Sequence, residues 1–243
     1  MNLAFLSPGA TLPREMRARS PMERPALEAG ARLIRLEGWN VANAYDTPAT
    51  EMRRLTQTVG YVDRSNLAKL ELQAEPTALA AIVAQASGGL ELEPGLARRS
   101  AGTWWCPVTP ARVLVLSEPG RGEAVGAAVA GAVEDAEGTV TVVDLTCGLA
   151  ALSLIGPGAR ELLARFCAID VRPAVTPRTG FRPGSIARTP GYLLVEGKRR
   201  LLVLVGWALG EYLWRVVADA AERLDGGPVG AEALARHLEL SDA

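Results

Sequence analysis

Apolar positions in this chain fall into short runs separated by glycine, proline or acidic turns, and the clearest run is Leu149 to Ile155. It is bounded by Gly148 and Gly156 and is too short to cross a membrane, so it predicts a core strand. Ahead of it stands an acid-led turn, Asp144-Leu145-Thr146. Behind it, Gly156-Pro157-Gly158 turns the chain into a helix in which Leu162, Leu163 and Phe166 recur at helical spacing. Pro157 suits a first helical turn, and the two glycines permit a sharp corner. The unit occurs earlier as well. Val62-Asp63-Arg64-Ser65 echoes Val143-Asp144-Leu145-Thr146, and Leu67, Leu70 and Leu72 echo Leu149, Leu152 and Leu154. Pro76 opens a helical stretch as Pro157 does. Two copies predict pseudo-twofold halves packed on a shared core, or else two ordinary strand–helix units that happen to look alike.

The rest of the pattern fills in around these units. It predicts a polar helix after Pro21, a strand over 31–36, and a helix over 51–58 with Thr50 as its N-cap. A strand over 61–73 leads to a helix over 77–86, ended by Ser87-Gly88-Gly89. Residues 90–103 read as irregular, 112–116 as a strand and 123–133 as an alanine-rich helix. Further on come a strand over 139–143 and a proline-rich loop over 171–183. A hairpin of 191–196 with 200–205 follows, then an amphipathic helix over 210–224 and a last helix over 232–240. Strands and helices intermix throughout, which predicts an α+β layered fold. Residues 1–19 carry no period and form a flexible arm. Residues 20–243 form one domain of two interleaved halves, about 20–135 and 136–243.

A chain of 243 residues that is 49% apolar can bury a sizeable core, and with 5% aromatics aliphatic packing does most of that work. The net charge of −1 gives no general attraction to nucleic acid or acidic membranes. His237 is the only histidine, which excludes a multi-histidine metal site and leaves any Ser-His-Asp or Cys-His mechanism dependent on that one residue. Cys106, Cys147 and Cys167 are widely spaced, and such sparse thiols fit a reducing compartment, with Cys106 and Cys147 packing as small apolar groups. The longest apolar run, 201–209, is interrupted by Gly206, so a soluble, cytoplasmic protein is expected.

Five stretches, in order, resemble the glycine-cleavage T-protein (aminomethyltransferase) superfamily. They are Ser20-Pro21-Met22 with Gly38-Trp39, then Val59-Gly60-Tyr61-Val62-Asp63-Arg64-Ser65-Asn66 with Lys69, Asp144 to Ala159, Arg188-Thr189-Pro190-Gly191-Tyr192, and Pro228 to Leu240. Together they run from Ser20 to the end of the chain. From Asp144 through the helix holding Trp214 the chain looks closer to the gamma-type subunit of heterotetrameric sarcosine oxidase. Two departures stand out. The family's "N-A…D" segment is replaced by Ser117-Glu118-Pro119-Gly120, and the C-terminal barrel domain is not matched. The family's catalytic aspartate is thus not recognisable, and no catalytic residue is assigned.

The resemblance implies a tetrahydrofolate-binding, aminomethyltransferase-like protein of one-carbon metabolism, with folate held centrally between the two halves. The alternative is a non-catalytic, gamma-like subunit that packs against a flavin-containing oxidase or dehydrogenase chain. A pterin edge pairs with a carboxylate through two hydrogen bonds, and its face wants an apolar or aromatic wall. Glu196 is the candidate carboxylate, or a solvated hairpin residue. Tyr192 is the candidate wall, or a core tyrosine. Arg188 could fork onto a folate glutamate tail, or sit free on the surface. Asn66, in the second matching stretch, completes the candidate set. Asp63 and Asp144, each two residues before a hydroxyl side chain, predict Asx turns rather than catalysis. Trp104-Trp105 is read as a pocket wall, a partner surface or core.

Overall fold

The structure, a computed structural model, describes residues 18–242. The arm expected over 1–19 lies outside these residues except for Ala18 and Arg19. Ala18 makes a parallel bridge to Trp39.

Four layers stack as helices, sheet, sheet, helices. The first sheet has six strands, in the spatial order 181–186, 189–197, 200–206, 149–155, 60–63 and 227–228, and the second has five, in the order 98–100, 103–109, 112–117, 68–73 and 141–144. In chain order, helix α1 (Glu23–Glu28) precedes a hairpin of β1 (Arg32–Leu36) and β2 (Trp39–Ala44). Helix α2 (Pro48–Gln57) leads into β3 (Gly60–Asp63) and β4 (Ala68–Gln73). Helix α3 (Pro76–Ser87) is followed by β5 (Arg98–Ser100), β6 (Thr103–Thr109) and β7 (Arg112–Ser117). After α4 (Gly122–Glu134) come β8 (Thr141–Asp144), β9 (Leu149–Ile155) and α5 (Ala159–Ala164). The chain closes with β10 (Phe181–Ile186), β11 (Thr189–Gly197), β12 (Arg200–Gly206), α6 (Gly210–Glu222), β13 (Gly227–Pro228) and α7 (Ala231–Asp242).

The repeated unit explains how two sheets arise from one pattern. The strand expected over 61–73 is two strands, because the chain turns at Asp63 and passes from the six-stranded sheet to the five-stranded one. At Asp144 it passes back. β3 therefore pairs antiparallel with β9, and β4 antiparallel with β8. The Asx turns are present in both copies: Asp63 Oδ1 accepts from the Ser65 N–H at 2.9 Å and Asp144 Oδ1 from the Thr146 N–H at 2.7 Å.

Alternation in the strands assigns each face to a layer. Ala150, Leu152 and Leu154 of β9 pack with Leu213, Trp214 and Val217 of α6, while Ala151 points between the sheets. Each buried leucine or valine among them contributes about 1.5–3 kcal/mol. Trp104 and Trp105 stand on opposite faces of β6. Trp104 packs between the sheets, Trp105 beneath α3 and α4, and both are buried. The pair is core rather than a partner surface.

Other expectations shift for local reasons. α2 is capped by Thr47, whose hydroxyl accepts from the Thr50 N–H, because Pro48 sets the first turn. Helix α5 starts at Ala159, after Pro157. Gly156, at φ +124°, makes the corner, and an added Cβ there would lie 2.6 Å from the Thr58 carbonyl oxygen. The proline loop ends early. β10 includes Pro183 and lies at the sheet edge, where a missing N–H is tolerated. Cys106 is buried as expected, but Cys147 is exposed at the second turn and Cys167 is partly buried.

Candidate functional site

Three polar sites interrupt the apolar layers. The first is Lys69, one of two lysines, fully buried on β4. Its Nζ donates to the carbonyls of Ser65 and Leu67 at 2.8 Å each and to that of Thr146 at 3.1 Å. One ammonium thereby ties the first turn to the second. Burial lowers it to about 8, opposed by the Asp63 carboxylate.

The second site is a cavity between β2, β3 and α7, bordered by Asp63, Arg64, Asn66 and Glu118. Arg64 Nη2 donates to both Glu118 oxygens, at 2.8 and 2.7 Å. Glu118 follows β7 and is held by an arginine from the first turn. Burial pushes the Asp63 carboxyl up, against hydrogen bonds from Ser20 and Ser65.

The third site is a cleft of about 690 Å³ where the β10–β11 turn meets β7, bordered by Arg112, Leu149, Arg188, Pro190 and Tyr192. The Tyr192 ring stacks on Phe181 with centroids 5.6 Å apart and an interplanar angle of 13°. Its hydroxyl accepts from Arg112 Nη2 at 3.1 Å. Arg112 Nε stands 3.7 Å from Glu71 Oε2, and Glu71 Oε1 accepts from the Gln73 amide at 2.6 Å. Alternation along β4 aligns Lys69, Glu71 and Gln73 on the face turned toward the other sheet. Arg188 sits in the turn itself. Both Ala187 (φ 50°) and Arg188 (φ 61°) adopt the left-handed conformation.

The four expected site residues thus divide. Tyr192 and Arg188 share the third cleft, and Asn66 borders the second cavity. Glu196 stands four residues along β11 from Tyr192, roughly 13 Å away at strand rise. Its Oε2 lies 3.3 Å from Arg200 Nε, with the side chain only 9% exposed, so it is neither solvated nor turned to the cleft. Burial first, and the Glu196 carboxylate second, push the Cys106 thiol well up. The layer between the sheets, where a central ligand was expected, holds Cys106, Leu114, Leu116, Phe181, Leu194 and Leu202. Arg112 and Lys69 escaped the sequence reading as site residues. The signal was there for both, since each is a cation set in an otherwise apolar or alternating strand.

This α+β double-sheet arrangement is that of the T-protein folate-binding fold. The aminomethyltransferase T of the glycine cleavage system from Bartonella henselae superposes with a TM-score of 0.74 at 16% identity, over 89% of this chain and 60% of that one. This chain therefore spans less than two thirds of the aminomethyltransferase. A chain of heterotetrameric sarcosine oxidase from Corynebacterium sp. U-96, solved in complex with pyrrole 2-carboxylate, superposes with a TM-score of 0.67 at 23% identity, over 86% of this chain and 97% of that one. No curated protein matches the chain in sequence. The model of the sarcosine oxidase, gamma subunit family matches residues 72–223, more than half of the 243, and the chain belongs to that family.

Proposed function

We propose that this chain is a non-catalytic, gamma-type subunit of a heteromeric, sarcosine oxidase-type flavoenzyme that oxidises amines. The family match over 72–223 carries this reading. The like-sized chain of a heterotetramer, covered over 97% of its length, supports it. So do the exposed apolar side chains Ile34 and Leu36 on β1 and Val142 and Val143 on β8, which a partner would cover. The protein has no described helix long and apolar enough to cross a membrane. Its unpaired cysteines suit a reducing compartment, which we take to be the cytoplasm. We treat 20–243 as one folding unit of two interleaved halves. Affinity isolation of the tagged chain from its native host tests the assembly. A flavin-containing polypeptide should accompany it in fixed stoichiometry. Recovery of a stable, lone monomer rejects the reading.

Tetrahydrofolate is the second ligand reading, favoured by one observation: Tyr192 and Arg188 border the same cleft. When bound, that group accepts a one-carbon unit at N5. In this chain Tyr192 and Phe181 would wall the ring and Arg188 would hold the glutamate tail. Among the described residues no carboxylate borders the cleft for the pterin edge, and Glu196 is engaged by Arg200. The fit is therefore partial, and no transfer step is assigned to the chain. Calorimetric titration of tetrahydrofolate into the folded protein decides it, with an absence of heat rejecting the reading.

A further inference from the structure

We propose that the cleft at the β10–β11 turn is a binding site for a compact dianion, a small dicarboxylate or a phosphate, held between the Arg112 and Arg188 guanidiniums. Four observations converge on it. Arg188 borders the cleft and makes no hydrogen bond or ion pair among the described residues. Arg112 borders the same cleft but is held by Glu71 on one side and by the Tyr192 hydroxyl on the other. Because that hydroxyl accepts from Arg112, its own proton is available to a ligand. Among the described residues, no carboxylate borders the cleft.

Glu71, which does not border the cleft, offsets Arg112 from 3.7 Å, and no described residue pairs with Arg188. A guanidinium matches a carboxylate or phosphate through a fork of two N–H groups, and two guanidiniums facing one cavity suit a ligand with two negative charges or one doubly charged group. The turn that presents Arg188 supports the same reading. Two consecutive non-glycine residues in the left-handed region are strained, and Asn-Gly is the ordinary choice for such a hairpin. Strain of this kind is retained where it positions a group. Thr189 fixes the turn, its hydroxyl donating to the Ile186 carbonyl at 2.9 Å.

Isothermal titration of inorganic phosphate and, separately, succinate into the full chain in low-chloride buffer tests the site. Saturable binding that weakens with added salt is expected for at least one of them. Phosphate alone would identify a phosphate site, succinate alone a carboxylate site, and both a general dianion site. Arg188→Gly is the decisive variant. It should weaken binding about tenfold, as the loss of one charge-assisted contact implies. It should also leave the melting temperature unchanged or higher, since glycine adopts the turn without strain. Arg112→Lys keeps the charge and loses the fork, and should weaken binding while the fold is retained. No heat with either anion at up to about 10 mM overturns the proposal. So does an Arg188→Gly protein that binds as well as the parent. The site shares its cleft and Arg188 with the folate reading, but the two fail separately: a chain that captures no flavoenzyme, or gives no heat with tetrahydrofolate, can still bind the small anion.

Discussion

At Asp63 and Asp144 the chain makes the same turn, with the carboxylate accepting from the N–H two residues on, yet the surroundings are opposite. Asp144 is exposed beside the open strand β8. Asp63 is partly buried at the edge of a cavity, and burial raises its carboxyl above the ordinary range despite bonds from Ser20 and Ser65. Repetition in sequence has preserved a backbone device, while each copy took its solvent environment from whatever packs over it. Lys69 joins the two copies by bonding carbonyls of both.

The most severe way to break this relation is Lys69→Met. It strands three carbonyls in the interior, and with each unsatisfied group costing about 1–3 kcal/mol the loss should be on the order of 3 kcal/mol or more. Urea denaturation measures it, and a loss under about 1 kcal/mol would show that the lysine does not hold the turns together.

Smaller and more discriminating is the response to pH. A carboxyl whose value is raised in the folded state contributes stability that is complete below its unfolded value and is lost as pH rises through the raised one. Asp63 should therefore make stability fall across the carboxylate range. Asp63→Asn, which keeps the turn, should flatten that fall, whereas Asp144→Asn should leave it. Lys69 acts oppositely. Lowered from 10.5 to about 8, it withholds stability below about pH 8 and restores it as pH rises toward 10.5. The stability-versus-pH curve of Lys69→Met should lack that rise. Identical curves for parent and variants would place the charge of both groups outside the folding equilibrium. The smallest expected change is Asp144→Ala, about 0.5–1 kcal/mol for one exposed turn bond, measurable as a slight drop in Tm.

The repeat, the β11–β12 hairpin and helix α6 were legible because each rests on local signals: acid-led turns, Gly197-Lys198, and helical spacing of Leu213, Val217 and Ala220. The break at Asp63 was not, since β3 and β4 differ only in which sheet receives them. Strand β10 was masked by Pro183, which an edge position accommodates. The Trp104-Trp105 pair reads equally as pocket wall, partner surface or core, because two adjacent aromatics on a strand cannot share one face; a sheet covered on both sides buries both. Of the four expected site residues, Arg188 and Tyr192 border one cleft and Asn66 another cavity. Glu196 points along the same strand face as Tyr192 but meets Arg200. Arg112 joined the cleft only through the β6–β7–β4 pairing that brings it beside Glu71.

Strand β8 closes the five-stranded sheet with β4 on one side and, among the described residues, no strand on the other. Its Val142 and Val143 are 43% and 39% exposed on opposite faces. A bare strand margin with apolar flanks recruits whatever extended backbone it meets first. Produced by itself at high concentration, this chain is set up to stick to its own copies, so recovery of soluble material should improve with dilution or with simultaneous synthesis of the proposed partner subunit, if that subunit covers this margin.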